Sequence, residues 1–281
     1  MFALTQQRAY ARCPHRYTAL TLPDVLAAIA VLAAGSALQG AAGFGVAIIA
    51  APVLALIDPA LIPGPLLLCS TVLTLLVFTR ERHPIDLRGL KWAEIYRPPA
   101  KQAGIEALIN WYELRWAVVG RILGAGAAGA VIGIMTPDAI SIGVGVVVLL
   151  GVATSMVRIK VEPAPGSLLA AGMLSGFMGT TTSVGGPPMA LIYQHESGAK
   201  LRGTLSAYFL IGSPISIAAL MFAGKLGKAD ALTALQILPG VIMGFALSGR
   251  LAGLIDRGAV RPAVLAVSAI AGIAVIFQGL R

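Results

Sequence analysis

The stretch "GTTTSVGGPP", residues 179–188, interrupts a hydrophobic run that extends from near Leu168 to Tyr193. Its threonines, serine, glycines and prolines are poor material for a continuous apolar helix. Glycine and proline weaken or end helices, and short hydroxyl side chains compete for the backbone. A second interruption, "QGAAGFG" at residues 39–45, divides an apolar run between Asp24 and Ile57. A short apolar half-helix follows each one, "VAIIAAPVLALI" after the first and "MALIY" after the second. The fold turns on whether these breaks are defects or a paired device.

Composition sets the solvent. Of 281 residues, 57% are hydrophobic and 12% charged, and the mean hydropathy is +0.86. Soluble domains carry about 25% charged residues, so this chain cannot clothe a water-facing surface and reads as a membrane protein. The lipid bilayer is thus its first partner. The net charge of +9 fits Lys and Arg gathered in cytoplasmic loops. No basic helix or aromatic-interleaved patch is present to grip phosphates, so no nucleic-acid partner is expected. Cys13 and Cys69 match no metal or redox spacing. Arg8, Arg12 and Arg16 precede the first apolar run. That run continues well past a signal-peptide length, which favours a retained membrane segment with a basic tail that sets orientation.

Apolar segments fall at 24–57, 61–80, 117–135, 138–157, 166–193, 203–224, 229–250 and 259–280. The first and fifth are the long, broken ones. After each break the order is the same: half-helix, apolar span, charged loop, small-residue helix, Val/Ala-rich helix. The small-residue helices, "GRILGAGAAGAVIG" (120–133) and "GVIMGFALSGRLAG" (240–253), place glycines where backbones can approach closely. The expected fold class is all-α: a polytopic membrane protein of two homologous repeats. Each repeat holds a broken or re-entrant-like helix plus three spanning helices, about 8 spans in all, or about 10 if the broken segments count twice. The expected division is a basic tail at 1–23, a first repeat at 24–157 and a second at 158–281. If each broken segment crosses once the repeats are parallel, and if it folds back they are inverted. Charge balance places the 81–116 loop in the cytoplasm under either topology. Within it, Ile105, Leu108, Ile109 and Tyr112 recur at helical spacing, which predicts an amphipathic interfacial helix in the segment 94–116.

No catalytic constellation or phosphate-binding loop ending in Lys-Ser/Thr is present, so the chain reads as neither an enzyme nor an ATP-driven pump, and no cofactor or metal is expected. Every Asp and Glu lies at a segment end or in a loop, which disfavours a proton-coupled cation exporter. An anion site needs no acid. A helix restarting after a break offers free N–H groups and a positive dipole end, as in transporters with broken helices. At the second break, Thr180, Thr181, Thr182 and Ser183 offer hydroxyls, Gly179, Gly185 and Gly186 permit close approach, and Pro187 suits a helix start. At the first, Gln39 and Ser36 are polar, Gly40, Gly43 and Gly45 are flexible, and Phe44 is a candidate wall. The competing reading is a pair of kinks whose hydroxyls bond to carbonyls one turn back. Arg121, one turn inside 117–135, is placed either to snorkel to the cytoplasmic surface or to attract anions. Gln194 is a lesser candidate, and Arg250 reads as an interfacial anchor.

The motifs "LQGAAGFGVAIIAAPVLALI" (38–57) and "GMLSGFMGTTTSVGGPPMALIY" (172–193) resemble those of the TauE/SafE family of sulfite and sulfonate permeases. The likeness covers about residues 24–93 and 117–280. Gly40, Gly43, Phe44 and Gly45 match the first family motif, and Gly176, Gly179, Gly185, Gly186 and Pro187 the second. The triple threonine stands where the family is more apolar and glycine-rich. Segment 94–116 has no evident family counterpart. The resemblance implies a small anionic substrate, such as sulfite, sulfoacetate, a related sulfonate or a carboxylate, carried across a bacterial inner membrane, with a homodimer as a candidate assembly. Export of a monovalent anion gains about 2.3 kcal/mol per 100 mV of inside-negative potential. Import would require a co-transported cation, for which the spans hold no acidic site. Cation-coupled import and a non-transporting scaffold are the alternatives.

Overall fold

The computed structural model describes residues 20–42, 46–82, 111–156, 161–196, 198–255 and 260–280, which form ten α-helices and one 3₁₀ turn, with no strand among them. In chain order the helices are α1 (Leu22–Ala42), α2 (Val46–Ile57), α3 (Gly64–Arg82), α4 (Trp111–Ile132) and α5 (Pro137–Met156). They continue with α6 (Pro165–Thr182), α7 (Gly186–Tyr193), α8 (Gly198–Phe222), α9 (Lys228–Ile255) and α10 (Val260–Gly279). Long stretches within α1, α4, α8 and α9 are long and apolar enough to cross a bilayer, and shorter apolar helices lie in α2, α3, α5 and α10. Their outward faces carry large apolar side chains such as Leu123, Leu150 and Ile242. Such faces would be costly in water and suit lipid.

α6 ends at Thr182 and α7 begins at Gly186, whereas the residues between α1 and α2 lie outside the described ones. The second break is a reversal. Ser183 caps α6 in the left-handed region at φ 63°, the conformation that commonly ends a helix. The chain then returns along α6, where the Ser175 hydroxyl donates to the Gly185 carbonyl at 2.6 Å. A Cβ on Gly185 would lie 2.8 Å from the Ser175 carbonyl oxygen, so only glycine fits this return.

Two helix pairs dominate the packing, α4 along α6 and α1 along α9. Glycine permits both. Cβ atoms on Gly120 and Gly124 would strike the carbonyls of Leu169 and Met173, and those on Gly240 and Gly244 the carbonyls of Ile29 and Ala33. In each pair the contact advances in the same direction along both helices, so the pairs are parallel. Extensive contacts also join α5 to α10 and α3 to α8. Gly145 abuts the Gly272 carbonyl while Gly279 abuts that of Asp138, so α5 and α10 run antiparallel.

Three expectations change. The span predicted at 117–135 begins six residues earlier, because "WYELRW" joins α4 as its first turns. Tyr112 therefore belongs to a membrane-length helix and not to a separate interfacial one, and residues 94–110 lie outside the described residues. The basic tail lies outside them up to residue 19, as do residues 43–45. The earlier start also moves Arg121 halfway along α4. At 1.5 Å per residue that is about 15 Å from the helix start, beyond the reach of a snorkelling side chain. Arg121 is 2% exposed, so the snorkelling expectation fails.

Candidate functional site

Arg121 lies in a hollow made by glycines. A Cβ on Gly212 of α8 would overlap its guanidinium stem, and Cβ atoms on Gly179 and Gly185 would lie 3.4 Å and 3.3 Å from its terminal nitrogens. Nη1 donates to the Ser175 hydroxyl at 3.2 Å and Nη2 to the Ser216 hydroxyl at 3.1 Å. Thr180 donates to the same Ser216 oxygen at 2.9 Å. The rings of Tyr208 and Phe209 sit 5.3 Å and 5.6 Å from the guanidinium carbon, within cation–π range. Buried Nε has no hydrogen-bond partner. No carboxylate among the described residues contacts this arginine, which is unusual because a buried charge is ordinarily paired.

The guanidinium borders a cavity of about 50 Å³. By this measure a water needs about 10–15 Å³, so the space suits a group a few atoms across. Both halves of the chain line it. From the first come Gln39 of α1, Ala47 and Ile48 at the start of α2, and Leu67, Ser70 and Thr74 of α3, together with Arg121 itself. Gly179, the break residues Ser183 to Gly185, Gly186, and Phe209 and Ser213 of α8 come from the second. Arg121 is the sole charged residue among them. Ser70 and Thr74 spend their hydroxyl protons on carbonyls one turn back along α3. Ser213 makes no hydrogen bond within the described residues and can donate into the cavity.

The candidates read from sequence are thus sorted by position. Gln39, Arg121, Gly179, Ser183, Gly185 and Gly186 line the cavity. Thr180 stands behind Arg121 through Ser216. Thr181 and Thr182 bond to the carbonyls of Phe177 and Met178 at 2.8 Å each, and the Thr182 oxygen also accepts from the Val184 N–H. These two border a separate apolar cavity of about 110 Å³ beside α5. Ser183 faces the site but donates to the Pro63 carbonyl at 2.8 Å. Pro187 is buried against Gly151 and does not line the cavity, and Pro187 and Pro188 deprive α7 of two N–H donors at its start. Gly40 lies to one side, where its carbonyl accepts from Arg80 Nη2. Gly43, Phe44 and Gly45 lie outside the described residues, as does the Arg250 side chain. Gln194 ends α7 away from the cavity. Ser36 is buried with its hydroxyl unbonded, outside the lining.

Sequence reasoning missed Ser70, Thr74, Phe209, Gly212, Ser213, Ser175 and Ser216. A signal was available. Ser70 and Thr74 are one turn apart in the apolar part of α3, and Gly212, Ser213 and Ser216 share a face of α8. No group of three or more metal-ligating side chains exists among the described residues.

The fold is therefore that of an all-helical membrane protein whose buried cavity is cationic and free of acids. The chain belongs to the sulfite exporter TauE/SafE family, whose model matches residues 100–275, and it is a membrane transporter, not an enzyme. The matched span includes residues 100–116, part of the segment for which the sequence suggested no family counterpart. Neither a curated protein nor a solved structure matches the chain.

Proposed function

We propose that this transporter exports a small sulfur-containing or organic anion, of the sulfite or short sulfonate and carboxylate class, across a bacterial inner membrane, and that the anion binds where the two breaks meet. One observation carries this reading: Arg121 is buried, has no acidic partner among the described residues and borders a cavity lined from both halves. A bare buried cation is costly, and an anion in the cavity supplies the missing countercharge. Membrane potential drives such an anion outward.

The architecture proposed with it is an inverted repeat, with α1–α5 equivalent to α6–α10. The fold-back at Gly185 and the exchanged packing of α4 on α6 and α1 on α9 support it. The antiparallel course of α5 and α10 supports inversion in particular. With each broken segment a hairpin, three spans per half reverse the second half, an arrangement suited to alternating access. The test is electrical: purified protein in liposomes on a solid-supported membrane, challenged with sulfite, sulfoacetate and short carboxylates. Currents that vanish in Arg121→Gln are expected. Silence with every anion would overturn the reading.

A further inference from the structure

Resting on that reading of the cavity, we propose that the site selects its substrate by charge and takes a small monoanion, such as hydrogensulfite, in preference to a dianion of the same shape.

The argument is a charge count. Among the described residues, Arg121 is the one charged residue that lines the cavity. The described helices packed around it add nothing titratable near neutrality: α6 and α7 contain no Asp, Glu, Lys, Arg or His. The facing titratable group is Tyr208 of α8, whose hydroxyl donates to the Gly172 carbonyl at 3.4 Å. On α4 itself Glu113 and Arg115 lie more than one turn away, do not line the cavity and carry opposite signs. Arg80 of α3 does not line the cavity, and its guanidinium binds the Gly40 carbonyl and the Ser248 hydroxyl. The residues of the first break, Gly43, Phe44 and Gly45, are uncharged.

Helix dipoles do not alter the count. At the second break the negative end of α6 meets the positive start of α7, so the partial charges largely offset there. Pro187 and Pro188 weaken the positive start of α7 further. The empty site thus carries one positive charge. A monoanion neutralises it, and guanidinium N–H groups remain available because only two hydroxyls engage them. A dianion leaves a buried negative charge with no second cation, and that desolvation is unfavourable.

Chlorate and the sulfite dianion are both pyramidal with three oxygens, and they differ in charge, so they separate charge from shape. Binding is measured by calorimetry on the full chain in detergent, from about pH 6, where hydrogensulfite dominates, to about pH 9, where the dianion does. Sulfite affinity should fall about tenfold or more over that range, while chlorate affinity stays constant. Arg121→Gln should abolish both, and Arg121→Lys, which keeps the charge, should retain the contrast at weaker affinity. Sulfite binding equally well at both extremes, or an Arg121→Lys protein that binds without the contrast, would overturn monoanion selection while leaving the anion site intact. Absence of binding by either anion at any pH would overturn the anion site and this inference together.

Discussion

An arginine from a neighbouring helix approaches each of two places, the end of α1 ahead of the first glycine-rich stretch and the turn between α6 and α7. Arg80 reaches the first from α3, donates to the Gly40 carbonyl near the end of α1 and lies 5.0 Å from the Phe245 ring. A cation on the carbonyl end of a helix is a stabilising arrangement. Arg121 reaches the second break from α4 and meets hydroxyls and glycines, with no carbonyl bonded to it. In α9 the position equivalent to Arg121, next to the first close-contact glycine, is Val241, buried in the apolar core. The cation near the end of α1 is thus bonded to backbone, while the one at the turn between α6 and α7 bonds to hydroxyls.

The largest expected effect tests that division directly. Arg121→Gln should weaken anion binding about a hundredfold or more, about 3 kcal/mol, the range for removing one partner of a buried charge contact. Arg80→Gln should instead leave affinity within about threefold and lower the melting temperature, because it frees a helix-end carbonyl. Calorimetry and thermal melts on the two variants separate these outcomes, and a reversed pattern would exchange the roles of the breaks. Next in size are Gly124→Ala and Gly244→Ala. Each puts a methyl into a facing backbone, and each should cost about 1–3 kcal/mol of stability, with matching shifts in melting temperature. Gly126→Ala, which meets nothing within 4 Å, should shift nothing. Unequal shifts for the first two would break the equivalence of the halves.

Gly212→Ala is subtler. Its methyl would overlap the Arg121 stem, so the guanidinium must withdraw from the cavity. Affinity should drop about tenfold, or about 1.4 kcal/mol, with a modest change in melting temperature. Smallest is the hydroxyl pair. Thr180→Ala removes a donor to Ser216 and should weaken binding severalfold, about 1 kcal/mol, whereas Thr181→Ala should leave binding unchanged because its hydroxyl serves the Phe177 carbonyl.

Much of the fold was legible because helix-breaking chemistry and apolar runs are local. "GTTTSVGGPP" marks the interruption between α6 and α7, and the boundaries of α5, α6 and α10 fall within a few residues of the predicted segments. The α4 boundary was missed since Trp111, Tyr112 and Trp116 read equally well as an interfacial belt. Of the candidate site, glycines and Gln39 were legible by kind. Neighbouring threonines of identical type could not be sorted, because Thr180 and Thr181 point about 100° apart on the helix and only packing decides what each direction meets. Ser213 and Gly212 went unnoticed since one small residue in an apolar helix carries no local signal of function.

By itself the sequence determined a helical membrane protein with two glycine-rich stretches and no acid in the middle of an apolar segment, since hydropathy, helix breaking and charge are properties of residues and short stretches. Tertiary structure alone decided that α7 folds back on α6, that Arg121 stays buried and that both halves close one cavity. Those outcomes depend on contacts between residues far apart in the chain: Ser175 and Ser216 holding the guanidinium, Gly212 making room for it, and Gln39 arriving from the other half. The threonines of "GTTTSVGGPP" drew the eye first, yet the charge that gives the break its chemistry comes from a helix some sixty residues earlier, brought there by glycine-mediated packing of α4 on α6.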